Sequence, residues 1–301
     1  LCEIQFGVLS PEEIKKRSVV NIFEQQLYDS NGPKLNALFD PRMGVIERNK
    51  RCKTCLQDYI ECPGHFGHIE LAKPIYNSLF IDQIKKILKC VCNSCSKLLI
   101  DKDNELVKDI IKTKKARDRL TLISAMTPKS SVCGIETTDK SGENTNKGCG
   151  AKQPKQFNSK DTDYIIAEIH QTKSTDTGKH IEKTNITYSA EIVLNIFKRI
   201  SKEDAYILGF SKEWCLPHWL IYINLPVAPP SVRPSVKLYN NQRSEDDITQ
   251  KYNDIIKNNN ILKDKISSNN EKNKDYYINT YTGLVQYHIS TLIDSESKGL
   301  S

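Results

Sequence analysis

The sequence predicts an α+β chain folded as several lobes, one of which carries an antiparallel helical hairpin. Three observations lead there. Of 301 residues, 38% are hydrophobic and 27% charged, which suits modest cores in separate lobes better than one thick interior. Ten cysteines are present, several at two-residue spacing. Residues 246–294 carry two successive apolar seams with helical steps.

The chain opens on turn-rich sequence. Ser10-Pro11-Glu12-Glu13 reads as a helix start, with Ser10 as N-cap, Pro11 in the first turn and Glu13 closing a capping box. Asn31-Gly32-Pro33 and Asp40-Pro41 mark turns. Residues 75–89 place Leu79, Phe80, Ile84, Ile87 and Leu88 at helical spacing. Residues 132–150 are polar and Gly-rich and are expected to form a mobile loop. Residues 163–189 alternate as strands do, and Glu191 to Ile200 predicts a short amphipathic helix through Ile192, Ile196 and Ile200. Residues 216–236 start strand-like and end in Pro226, Pro229, Pro230 and Pro234, which predict a stiff, extended connection. Ile248, Tyr252, Ile255, Asn259, Leu262 and Ile266 form one seam, and Ile278, Tyr281, Val285, His288 and Leu292 the other. A polar turn joins them, which predicts a coiled-coil hairpin, with Asn259 fixing register at some cost in stability. Two amphipathic helices packed on another core are the competing interpretation.

Cys52 and Cys55, then Cys62 and His65, form two pairs, each with a two-residue spacer. Such a spacer lets one turn aim two side chains at one ion, and two turns complete a tetrahedron. Zinc favours this ligand set, and four protein ligands leave no open position, so the site is expected to be structural. His68 is a competing fourth ligand, less favoured because only His65 repeats the spacing. Cys92 and Cys95 form a third pair, with the isolated Cys133 and Cys149 as candidate partners. Cys90 could replace Cys92 but breaks the two-residue spacing. Cys2 and Cys215 have no partner pattern and are expected to be buried as small apolar groups. The predicted architecture is thus α+β, multi-lobed and zinc-stabilised, with one structural ion at the first set and a second left open at Cys92, Cys95, Cys133 and Cys149.

Several function classes are excluded or weakened. No run of about 18 apolar residues is present, so no membrane span is expected. Leu1 to Ser10 lacks the basic start of a signal peptide, and Asn185-Ile186-Thr187, a glycosylation sequon, carries no meaning without one. The chain starts without Met and ends without a recognisable cap, and is expected to be a fragment. His68-Ile69-Glu70 with Cys92 and Cys95 faintly echoes zinc deaminases, but Val91 stands where their motif has proline. No P-loop, dinucleotide fingerprint or nucleophile elbow occurs. A net charge of +7 permits contact with nucleic acid without requiring it. The basic stretch Lys108 to Arg119 reads first as a solvated helix face.

Ordered segments then resemble a known family. Gln5 to Ile14, Asp40 to Ile46, the set Cys52 to His65 running into Gly67 to Pro74, and Cys90 to Leu99 follow one another as in the largest subunit of RNA polymerase II-type enzymes. Gly148-Cys149-Gly150, Phe197 to Ser201, Leu225-Pro226-Val227, Val232 to Ser235 and Asn241 to Asp247 continue the order. The resemblance implies an RNA polymerase clamp: a clamp core with the first zinc site over 1–89, a clamp head with the second over 90–215, and a return to the core over 216–301 with the coiled coil at about 246–294. It implies zinc ligands at Cys52, Cys55, Cys62 and His65, and at Cys92, Cys95, Cys133 and Cys149, with the loop around Cys133 diverged. It implies a clamp closing over DNA and the DNA–RNA hybrid, the second-largest and small subunits as neighbours, and initiation factors and NusG-class elongation factors at the hairpin. The family's catalytic motif, Asn-Ala-Asp-Phe-Asp-Gly-Asp, which holds magnesium, does not occur, so no catalytic residue is expected here and magnesium belongs to a downstream part. The expected setting is the nucleus of a cell, or a cytoplasmic viral factory or virion if the source is a large DNA virus. The rival readings are a free-standing zinc-stabilised scaffold that docks a partner, and a zinc hydrolase.

Overall fold

The computed structural model describes residues 7–30, 32–128, 132–134, 148–160, 164–175, 178–237, 243–268 and 273–295. Most of the predicted loop 132–150, the hairpin turn 269–272 and Cys2 lie outside the described residues. The elements run α1 (Pro11–Arg17), β1 (Tyr28–Asp29), β2 (Gly32–Pro33), β3 (Gly67–Tyr76), α2 (Ile81–Cys90), α3 (Glu105–Thr113), α4 (Ala116–Met126), β4 (Gln156–Lys160), β5 (Tyr164–Thr175) and β6 (Gly178–Tyr188). They continue with α5 (Ala190–Lys198), α6 (Lys202–Ile207), β7 (Ile221–Val227), β8 (Val236–Lys237), β9 (Arg243–Ser244), α7 (Asp247–Ser267) and α8 (Lys274–Ile293). The chain is therefore α+β. It divides into two compact units, Leu9–Ile75 with Tyr222–Ser301, and Leu1–Val8 with Tyr76–Ile221.

In the first of these units the capping box forms as the sequence predicts. Ser10 Oγ accepts from Glu13 N at 3.0 Å, and Ser10 N donates to the Glu13 carboxylate at 3.4 Å. The buried Asn224 donates to Pro11 O at 3.1 Å and pins α1 to β7. β7 pairs with β3, and residues 19–22 run parallel to the start of β3 through Val19 N to Phe66 O, His68 N to Val20 O and Ile22 N to His68 O. On this sheet sits the core, where Ile22, Leu38, Met43 and Ile69 meet Ile255, Ile256, Val285 and Ile289 of the two long helices.

α7 and α8 lie antiparallel. Lys274 Nζ donates to Ile266 O at 2.7 Å near the turn, and Lys265 lies over the Tyr277 ring. Farther down, Lys251 lies over Tyr287 and His288 Nδ1 is 3.9 Å from Asp254. The seam interpretation and its competitor both hold in part, because the open ends of the two helices are buried in the sheet core. Asn259 corrects the expected role. It does not set register across the hairpin: its Oδ1 accepts from Ala72 N at 2.8 Å and its Nδ2 donates to Glu70 O at 2.9 Å, so it continues the hydrogen bonding of β3 as a strand would. Asn259→Leu keeps the volume but leaves both strand groups unpaired, and is expected to cost about 2–4 kcal/mol in a urea titration.

The proline-rich segment also departs from expectation. Val232 N bonds Pro229 O and Arg233 N bonds Pro230 O, so the prolines build consecutive turns rather than an extended rod. Their fixed φ suits the first central position of a turn as well as an extended chain, and tertiary contacts decide between the two. The turns carry Arg233 into the interior, where it is 0% exposed.

The second unit holds a three-stranded antiparallel sheet, β4-β5-β6, with α2 packed against α4 and β4. β5 and β6 are the alternating segment of the sequence, in register from Ile165 opposite Tyr188 to Thr175 opposite Gly178. Tyr76 Oη donates to Tyr188 O at 2.8 Å. Two predicted helix faces shift. In α5 the buried residues are Val193, Leu194, Ile196 and Phe197, while Ile192 is exposed beside the N-cap Ser189. In the predicted 75–89 helix the first residues belong to β3, α2 begins at Ile81, and Leu79 is exposed. Both shifts arise at element starts, where a cap or a strand end competes with helical periodicity.

Candidate metal centres

The first centre grows from a buried turn. Asp40, fully enclosed, accepts from Asn36 N at 2.6 Å, from Arg42 N at 2.9 Å, and from the Arg42 guanidinium at 2.9 and 2.7 Å. Burial alone would raise its carboxyl, but the guanidinium and the two backbone N–H groups outweigh burial and hold it below the usual carboxylate range. The turn then offers its carbonyls to the metal loop. Lys53 N donates to Pro41 O at 3.0 Å, Thr54 Oγ1 to Arg42 O at 2.7 Å and His65 N to Met43 O at 2.8 Å.

Within the loop, Leu56 N donates to Cys52 O, Cys52 N to Gln57 O, and Thr54 N to Cys52 Sγ at 3.4 Å. Leu56 takes φ +62°, which lets the chain reverse after the second cysteine. The second centre repeats the pattern residue for residue. Ser96 N donates to Cys92 O, Cys92 N to Lys97 O, Ser94 N and Cys95 N approach Cys92 Sγ at 3.3 and 3.4 Å, and Ser96 takes φ +60°. A knuckle of this shape aims its two sulfurs to one side and gives one of them N–H donors suited to a thiolate.

Cys52, Cys55, Cys62 and His65 bring one ligand atom each to within 4.8 Å of one another, and Cys92, Cys95, Cys133 and Cys149 do the same. Cys92 Sγ lies 3.6 Å from Cys149 Sγ, Cys95 Sγ 3.8 Å from Cys133 Sγ, and Cys62 Sγ 3.8 Å from His65 Nε2. A disulfide needs about 2.05 Å, so these are not bonded sulfurs. Four sulfurs at about 2.3 Å from a tetrahedral ion are about 3.8 Å apart, so the gaps fit zinc. The Cys133 arm is held by Cys133 N to Ala151 O and Gly150 N to Cys133 O, and a Cβ on Gly148 would stand 2.3 Å from Gly134 Cα. That crossing requires glycine.

The chain matches the family described as RNA polymerase Rpb1, domain 1, over residues 1–301. It belongs to that family. It is also similar to the DNA-directed RNA polymerase II subunit RPB1 of Euplotoides octocarinatus, 40% identical over 297 residues that make up 99% of this chain and 60% of that protein. The Rpb1 domain 1 chain thus spans about three-fifths of the length of this relative.

Among this Rpb1-family chain's other candidates, His68 lies outside the first cluster. It is buried, its Nδ1 is 2.7 Å from Ser18 Oγ, and Ser18 Oγ itself donates to Val20 O at 2.9 Å. Its Nε2 lies 3.9 Å from the Glu70 carboxylate, so both ring nitrogens face partners within the unit. Burial lowers the imidazole's pKa, which keeps the ring neutral. Cys90 is fully buried, burial pushes its thiol up to about 11, and it is not in the second cluster. Cys215 is half-buried and likewise raised to about 11. Among the described residues the cluster around Cys92 consists of Cys92, Cys95, Cys133 and Cys149, without the His68 and Glu70 of the deaminase echo.

The thiols within each cluster are uneven. Bonding to His65 draws Cys55 down to about 7, while burial pushes Cys62 up to about 11. The Ala151 N–H draws Cys149 down to about 6, and burial pushes Cys133 up to about 12. Without a cation, Cys62 and Cys133 keep their protons at neutral pH. A divalent ion removes that obstacle by supplying the compensating charge. Sequence spacing carried no sign of Gln153, which donates to Cys92 Sγ at 3.2 Å and accepts from Asn93 N at 3.0 Å, orienting a ligand from behind.

Gly64 sets the second arm of the first centre, with φ +79°, and a Cβ there would lie 2.8 Å from Pro229 and 2.9 Å from Ser231 Oγ. Gly64→Ala is expected to destabilise the metal-loaded chain by about 2 kcal/mol, from the left-handed backbone alone, and to speed transfer of metal from the first centre to a chelator. Chelator competition at fixed temperature checks it.

Proposed function

We propose that this chain is the clamp region of the largest subunit of a DNA-directed RNA polymerase, closing over DNA and the DNA–RNA hybrid during transcription. The observation that carries the reading is the family match along the whole of residues 1–301. In this reading 1–89 is clamp core, 90–215 clamp head and 216–301 the return to the core, and both Cys/His sets hold structural zinc. Zinc supplies ligand-assembly free energy to lobes whose apolar interiors are modest, so that each moves as a rigid body. Basic side chains facing the cleft would bind phosphates without reading sequence.

The reaction itself belongs to parts of the polymerase outside this chain, including the magnesium-binding aspartates, so no residue here is given a catalytic role. Expected partners are the second-largest and small subunits, with initiation factors and NusG-class elongation factors at the α7–α8 hairpin. Among the described residues no helix is long and apolar enough to cross a membrane. The similarity to a polymerase II subunit from a cellular organism favours the nucleus, and nothing in the comparisons supports a viral setting.

Fluorescence transfer in the assembled enzyme tests the proposal, with one dye on a cysteine replacing the exposed Tyr276 of α8 and the other across the cleft on the second-largest subunit. The distance is expected to shorten when DNA and a short RNA are bound, and the fraction in the short state to fall steeply with salt. A distance indifferent to nucleic acid would contradict clamp closure.

A further inference from the structure

The unit that holds the second metal centre also holds a groove of about 460 Å³, bounded by α2, α4, the knuckle at Asn93 and residues 153–157. Its lining includes four lysines, Lys85, Lys86, Lys89 and Lys155, against one carboxylate, Asp82. Asp82 is taken by Lys85 at 2.7 Å. Lys86 donates to Thr121 Oγ1 at 3.0 Å and Lys89 to Ser124 O at 2.6 Å, both neutral acceptors, and Lys155 is exposed with no ion-pair partner among the described residues. Three ammonium charges therefore remain uncompensated around one concavity, which favours a multiply charged anion.

A second observation narrows the ligand. Asn93 lines the groove, and both Nδ2 and Oδ1 of its side chain are shielded from water without a hydrogen-bond partner among the described residues. A buried amide with neither atom paired is uncommon and calls for a partner. An asparagine amide carries a donor beside an acceptor, the pattern that matches a purine edge. Phe157 lines the same groove and offers an aromatic surface of the kind on which bases stack. An acidic peptide would satisfy the lysines but would leave the Asn93–Phe157 pair unexplained.

We propose that this groove binds a nucleotide unit, its phosphates on Lys86, Lys89 and Lys155 and its base against Asn93 and Phe157. In the structure both amide atoms are shielded, so contact with the base requires the Asn93 side chain to turn out toward the groove. The nucleotide is either free or one residue of a single strand, since both offer the same phosphate and base chemistry. The groove lies within one unit and is independent of clamp closure.

The test is photocrosslinking in the assembled enzyme, with 8-azido-ATP in one arm and a short single strand carrying one 8-azidoadenine in the other, followed by peptide mapping. Adducts are expected on residues 91–99 or 153–160 in at least one arm, and the arm that labels identifies the source. Asn93→Ala is expected to reduce labelling about tenfold with zinc content and melting midpoint unchanged, because the side chain it removes has no hydrogen-bond partner among the described residues. Lys155→Glu, at an exposed position, is expected to reduce labelling as well, and decides the matter if Asn93→Ala disturbs the metal. Absence of adducts on both segments in both arms would overturn the proposal. So would labelling unchanged in the variants, or displaced as well by polyglutamate as by unlabelled nucleotide. None of these results bears on the fluorescence measurement of clamp closure.

Discussion

Cys52→Ser is expected to release zinc from the first centre and to unfold the segment from Asp40 to Phe66. Structural zinc contributes about 10–16 kcal/mol in small metal-dependent folds, against about 5–15 kcal/mol for the net stability of a whole domain. Loss of one ligand therefore outweighs any single packing change in this unit. The turn at Asp40 is tied to the loop through Lys53, Thr54 and His65, so it loses those partners when the loop opens. Acid should act in the same direction. Metal binding displaces protons from thiols such as Cys62 and Cys133, which stand at about 11 and about 12 when no ion compensates them. The metal-free form thus holds more protons, and stability of the loaded form falls as pH falls. Metal analysis and circular dichroism on Cys52→Ser, and on the parent chain titrated from neutral pH downward, check both statements. An unchanged melting midpoint in Cys52→Ser would refute the first.

Arg233→Ala is expected to cost about 3–5 kcal/mol, from the buried acceptors it leaves unpaired and the cavity it opens. The side chain is fully enclosed between the Phe39 and Tyr252 rings, at 5.2 and 5.8 Å from their centres. Its Nε donates to Ala228 O at 3.0 Å, Nη1 to Thr249 Oγ1 at 3.3 Å and Nη2 to Leu38 O. Burial draws its pKa down to about 10, which still leaves it charged at neutral pH. Alanine would leave three acceptors unpaired and a cavity between two rings. Arg233→Lys keeps the charge but not the fork, and should fall between parent and alanine. Because Leu38 leads into the Asp40 turn, zinc should also leave the first centre faster in Arg233→Ala, while the second centre is unaffected. Urea midpoints and chelator kinetics separate the two effects.

Local features were legible in the sequence. The capping box at Ser10, the alternation of residues 163–189, the two long helices and the knuckle spacings all follow from residues within about one turn of each other, and the structure contains them in those positions. His65 rather than His68 joins the first set, as the repeat of spacing indicates. Cys133 joins the second, which spacing left open. Features that depend on distant partners were not legible. Nothing near Arg233 in sequence announces Leu38, and an asparagine at a seam position gives no hint that its amide meets the backbone of Glu70 and Ala72. The proline run could equally be a rod or a series of turns, because proline fixes φ but leaves ψ free. The faces of α2 and α5 shifted where a strand end or a cap occupied the first helical turn.

The most direct test of the account is the metal content of the chain purified under reducing conditions, with thiol alkylation counted before and after chelation. Two zinc ions per chain are predicted, with the three cysteines of the first set and the four of the second protected until chelator is added. A chain that carries no zinc, or whose seven set cysteines alkylate as readily before chelation as after, would contradict it.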